Sequence, residues 1–259
     1  MRSRFVKYAM LALVAVAALA ILTSSASAMT AKTNRDDIKI GLTYHGSTVS
    51  VSGLADPNVD LIMKITGEAA TEKLMRKDRA AGMWMNVEEI TLDHVPAVYY
   101  LRSTKDLETI LSAEQRNQYV IGYPALREKI DLKPAKPPER RAKLLDNFIK
   151  YKIDGKLYGE SLGGVDINPE GSGESYYTVF DWPYQAPPGQ YQVDVYAIRD
   201  GRVIDIAQSQ ITVEQDGAIK SLSDMAQNNG GVYGIAAIGV SVTAGFGVGV
   251  VFKGGGGSH

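Results

Sequence analysis

Four cations crowd one short stretch, Lys73, Arg76, Lys77 and Arg79, within KLMRKDRAAGMWMN. A guanidinium offers a planar fork of donors, so Arg76 and Arg79 with Lys77 between them can clamp a small oxyanion such as sulfite, sulfate or phosphate. The same cluster also suits a solvated hairpin, or a patch set against anionic lipid headgroups. Other residue types give less. The chain has no cysteine and 3 histidines, which excludes disulfides, thiolate metal sites and cysteine nucleophiles. His45 sits among turn residues and His94 precedes Val95-Pro96, too far apart to suggest a metal site. Glu88-Glu89 and Asp36-Asp37 are adjacent pairs, and neighbours on a strand point to opposite faces, so neither makes an acid–base couple. P-loop, nucleophile-elbow and dinucleotide patterns are missing. The expectation is a chain that is not an enzyme, with no catalytic residues, no metal and no cofactor.

Two apolar runs frame whatever holds these residues. Residues 1–28 have Arg2, Arg4 and Lys7, an apolar core from Tyr8 to Leu22, and Ala26-Ser27-Ala28. That is the layout of a cleaved signal peptide, with an uncleaved anchor as the other reading. Val232–Phe252 is uncharged, and its 21 residues at ~1.5 Å rise match a hydrocarbon core of roughly 30 Å. The expectation is one transmembrane helix over 232–252 in contact with the lipid bilayer, against a buried core helix or a pair of strands. Gly245 and Gly249 lie four residues apart in it, a small-residue spacing at which a second helix can approach closely. GGGGSH, at the end of the tail 253–259, reads as a flexible linker.

Between the runs lie 24 of the 28 Lys and Arg and all 29 Asp and Glu, a net charge of −5. Such a balance argues against a nucleic-acid partner. The hydropathy pattern there is mostly that of short strands. IKIGLTY, TVSVSGL and VDLIMKITG come first, broken at His45-Gly46-Ser47 and Asp56-Pro57-Asn58, then GMWMNV, EEITLDHV and PAVYYLRST. Ser103-Thr-Lys-Asp-Leu opens a stretch read as helical in pieces over 105–130, followed by the proline-rich LKPAKPPERR and a helix over 139–151. SYYTVFDWPY and QYQVDVYAIRDGRVIDIAQSQITVEQ return to strands, with Asp200-Gly201 as a tight hairpin turn. Trp84 and Trp182 both read as core residues, while the tyrosines near Tyr176-Tyr177 include candidates for an exposed docking surface. The expected fold is mainly β: an immunoglobulin-like antiparallel sandwich with a helical insertion and one C-terminal transmembrane helix. The regions are 29–104 (β-rich), 105–158 (helical and proline-rich), 159–216 (β-rich) and 217–231 (juxtamembrane).

Three features recur together: the basic cluster Arg76-Lys-Asp-Arg79 leading to Gly82-Met-Trp-Met-Asn86, then Val95-Pro-Ala-Val-Tyr-Tyr100, and a Pro-Gly-Gln-Tyr hairpin before a single C-terminal span. In this the chain resembles the Alph_Pro_TM-type family of bacterial transmembrane proteins. The resemblance implies an envelope protein, associated in some members with TauE/SafE-type permeases, and so an accessory or scaffold subunit beside a multi-span anion permease. It places the anchor in the bacterial inner membrane and the bulk of the chain in the periplasm. The second expectation is an anchored small-anion-binding module using Arg76, Lys77 and Arg79. The GGGGSH tail departs from the family pattern, and the oligomeric state stays open.

Overall fold

The computed structural model describes residues 29–41, 44–80, 82–171 and 173–253. The leader expected over 1–28 and the tail beyond Lys253 lie outside the described residues.

Alternating apolar residues build two facing sheets. The smaller has the order β1 (Lys32–Thr33), β3 (Ser47–Ala55), β11 (Gly173–Trp182), β10 (Val165–Glu170). The larger has the order β2 (Asp37–Ile40), β13 (Arg202–Gln215), β12 (Gly189–Arg199), β4 (Asp60–Gly67), β7 (Tyr99–Ser103), β9 (Tyr158–Leu162). Val49 and Val51 of β3 and Tyr176 and Phe180 of β11 meet Met63, Ile65, Val193 and Val195 from the other sheet. Trp182 is buried here as expected, its ring edge-on to Tyr191 at 4.8 Å. β3 pairs with β11 and β4 with β12, so the two β-rich regions interleave in shared sheets. Most pairs are antiparallel; β2–β13 and β7–β9 are parallel. Asp200 and Gly201 both take positive φ, 53° and 77°, and close the β12–β13 turn as the Asp-Gly signal predicts.

The insertion covers the second face of the larger sheet. Its helices are α1 (Leu107–Ile110), α2 (Ala113–Tyr119), α3 (Tyr123–Lys129) and α4 (Pro138–Asp154). Ile110, Leu126, Leu145 and Phe148 pack on Ile62, Tyr99, Tyr196 and Ile198. Leu61 to Ile65 are therefore all buried, although a strand with one wet face would alternate.

A third sheet, ordered β5 (Ala69–Ala80), β6 (Met83–Pro96), β8 (Asp131–Lys133), differs most from expectation. GMWMNV and EEITLDHV are one continuous strand, and the basic stretch before them is its hairpin partner. After β13 the chain passes through α5 (Gly217–Asn228) into α6 (Gly230–Lys253), which holds the apolar run.

Candidate functional site

The β5–β6 hairpin extends the β4–β7 ladder. Thr66 pairs with Tyr99, backbone bonds link Gly67 to Val98 and Ala97 to Glu68, and Ala69 pairs with Pro96. One ladder thus runs out past the end of the larger sheet. Register shifts fall at Ala70/Glu72 and Arg76/Lys77, with His94 at φ 61° near the first.

Alternation divides the hairpin into two faces. Glu72, Leu74 and Arg76 share a face with Glu88, Ile90 and Leu92, and the burial pattern shows that this face packs inward. Glu88 gathers three cations there: Lys136, Arg140 Nη2 at 3.0 Å and Arg76 Nε at 3.3 Å. Lys136, Arg76 and Arg140 hold its carboxyl below the usual carboxylate range. Arg76 Nη1 also donates to Asp78 at 2.7 Å, and Lys152 of α4 pairs with Glu72. Arg76 is thus committed to carboxylates on its own hairpin.

Lys73, Met75, Lys77 and Arg79 lie on the opposite, exposed face. Arg79 stands over the Trp84 ring, 5.5 Å from its centroid. The three predicted anion ligands are therefore split, with Lys77 and Arg79 on one face and Arg76 on the other. Trp84, expected in the core, is 67% exposed, and Met83 is 65% exposed. The reason is positional: the last inward anchor is the Arg76–Glu88 level, and Trp84 lies beyond it.

A second feature is an open cleft of about 1040 Å³ lined by Tyr44, Tyr100, Arg102, Lys156, Trp182 and Tyr184, among others. Arg102 reaches the Gly164 carbonyl at 3.3 Å and stacks over Phe180 at 5.1 Å. The Tyr100 hydroxyl donates to the Lys156 carbonyl, and burial pushes it up to about 12. Trp182 Nε1 is buried without a hydrogen-bond acceptor. These groups stack and donate to one another and to the backbone around the cleft. They come from strands and loops scattered over the chain, so no local motif in the sequence marks them.

Lys64 and Asp194 form a buried pair at 3.6 Å under the helical layer. Lys64 Nζ donates to the Tyr119 carbonyl at 2.8 Å, and Asp194 accepts from Tyr196, Gln192 and Gln208. Burial lowers the Lys64 pKa, against the pull of Asp194. The pair ties β4 and β12 to the end of α2. His94 Nδ1 lies 3.3 Å from Asp131, and His45 lines the cleft. No group of three or more His, Asp and Glu among the described residues could hold a metal.

α6 has mean hydropathy 1.6 over Gly230–Val250, with none of its most apolar window buried. Ser241 and Thr243 return their hydroxyls to the Ala237 and Gly239 carbonyls, both at 2.8 Å. Gly245 and Gly249 sit one turn apart with open space where a Cβ would be. A protein family described as "Putative transmembrane protein (Alph_Pro_TM)" matches residues 28–254. The chain belongs to this family. The match takes in the sandwich, the hairpin and α6 of this Alph_Pro_TM member, and it supports reading α6 as the membrane-crossing helix. A search of curated proteins gave no match.

Proposed function

We propose that this Alph_Pro_TM protein is a single-span, non-enzymatic accessory or scaffold subunit that holds its β-rich body at the outer face of the bacterial inner membrane. The observation that carries the reading is α6, an unburied apolar helix joined by one short helix to a body with two packed cores. Arg2, Arg4 and Lys7 ahead of the first apolar run and Lys253 beyond the span support that orientation. Both faces of the larger sheet are already covered, so partners would meet the body at its cleft or its projections. In the bilayer, the open Gly245–Gly249 face suits a helix of a multi-span partner.

The test is purification of the full chain from its native membrane in mild detergent. The reading expects a multi-span protein to co-elute, and Gly245→Leu with Gly249→Leu to weaken that association. Repeated recovery of a lone monomer overturns it.

A further inference from the structure

We propose that the tip of the β5–β6 hairpin is a second membrane contact. In it Trp84 and Met75 enter the interface of an anionic bilayer while Lys77 and Arg79 hold headgroup phosphates. The inference rests on α6 crossing the bilayer.

Topology supplies the first argument. Tyr191 pairs with Gly67 on one side and with Ile211 on the other. The end of β4, where the hairpin leaves, is thus level with the last part of β13, where the chain leaves for α5 and α6. The hairpin and the anchor depart from the same end of the same sheet, with only β12 between their strands.

Reach supplies the second. Ala69–Ala80 at ~3.3 Å per residue extends roughly 36 Å. The 12 residues of α5 at ~1.5 Å each lift the sheet end roughly 18 Å at most. The hairpin is the longer of the two, so its tip reaches the headgroups even with α5 upright.

Chemistry supplies the third. Met83, Trp84 and Met85 at the tip are 65%, 67% and 47% exposed, and Met75, four residues nearer the sheet on the Trp84 face, is 49% exposed, too much apolar surface on one projection to be incidental. Charge is graded along the hairpin. Beyond the Arg76–Glu88 level, Lys77 and Arg79 stand with a single acid, Asp78, while Glu72, Glu89 and Asp93 lie nearer the sheet. A chain whose exported part is net acidic thus shows its cations where the membrane would be, each attracted by an anionic surface by ~1 kcal/mol. Trp with a cation over its ring has an apolar body and a polar rim, the amphipathy that favours the interface. Arg76 instead braces the hairpin against Glu88 and Asp78, which suits a stiff projection.

The two tryptophans make the test direct, since Trp182 is 2% exposed and Trp84 is the one within reach of solvent or lipid. The full chain is placed in nanodiscs of phosphatidylcholine alone or mixed with phosphatidylglycerol, with brominated acyl chains as quenchers. In the anionic discs the Trp84 share of the emission should shift to the blue and be quenched. Trp84→Phe should abolish both changes, and Lys77→Glu with Arg79→Glu should reduce them while the chain stays in the disc. A water-like, unquenched Trp84 in anionic discs overturns the proposal. So does a shift that appears equally in neutral discs and follows the number of chains per disc, which would mean a second copy covers the tip. Failure to enter discs at all would instead bring down the anchor reading.

Discussion

The Tyr99 hydroxyl holds a sheet and a helical layer together. Tyr99 is fully buried on β7, donates to the Val120 carbonyl at 3.1 Å and accepts from Gly122 N–H at 2.8 Å. Val120 closes α2 in the left-handed region at φ 51°, and Gly122 precedes α3, so one oxygen serves both ends of that turn. Burial raises its pKa well above the usual tyrosine value, so it remains a donor throughout the physiological range. Tyr99→Phe keeps the ring and leaves a buried carbonyl and N–H without partners, at a cost of about 2 kcal/mol. For a chain of this size that lowers the Tm by roughly 4–8 °C, readable by near-ultraviolet circular dichroism of the full chain in detergent. An unchanged Tm would show that water replaces both bonds. Some residues were legible singly: Trp182 as core, and Asp200-Gly201 as the turn. Tyr99 was not, because its two partners lie more than twenty positions away and nothing local announces them.

At the scale of the element, the hairpin shows how periodicity can mislead. TEKLMRKDRA alternates, but with charges and long side chains on both faces, so it lacks the apolar stripe that marks a buried strand. Its inner face is satisfied by ions, Glu88 with Lys136, Arg76 and Arg140, and Glu72 with Lys152. Met83, Trp84 and Met85 mislead in the opposite sense, since composition says core and only topology puts them past the last support. The ion cluster gives the hairpin a pH dependence. The Glu88 pKa is lowered in the folded chain, so its contribution is present above the unfolded value of about 4.3 and is lost as pH falls below it. Amide exchange over 72–92 should rise, after correction for intrinsic rates, between pH 5 and roughly pH 3 while the sandwich strands stay protected. Glu88→Gln should show that raised exchange already at pH 7. Equal protection in wild type and Glu88→Gln at pH 7 would assign the brace to the apolar contacts of Ile90 and Leu92 instead.

For the whole molecule the deciding quantity is the apolar surface of α6. Ile235, Ile238, Val240, Val242, Phe246, Val248 and Val250 are all more than half exposed. In water these seven would leave roughly 10–20 kcal/mol of burial unrealised, as much as the stability of a typical domain. Lipid relieves that deficit, and this feature was plain in the sequence because it needs only length and absence of charge. What the sequence did not disclose was the route to it, since the shared end of β4 and β13 follows from pairings among distant strands. The span is nonetheless only moderately apolar. The ten large aliphatic and aromatic residues from Val232 to Phe252, Tyr233 apart, contribute roughly −3 to −6 kcal/mol to insertion. Two central arginines, Val240→Arg with Val242→Arg, cost roughly 5–7 kcal/mol and cancel it. Alkaline carbonate should therefore leave the full chain in the membrane pellet and release the double variant. Its body should still fold, because α6 is exposed at both substituted positions. Release of the unaltered chain by carbonate would mean that α6 only lies against the bilayer. The lipid contact at Trp84 would then lose the tether that places the hairpin within reach.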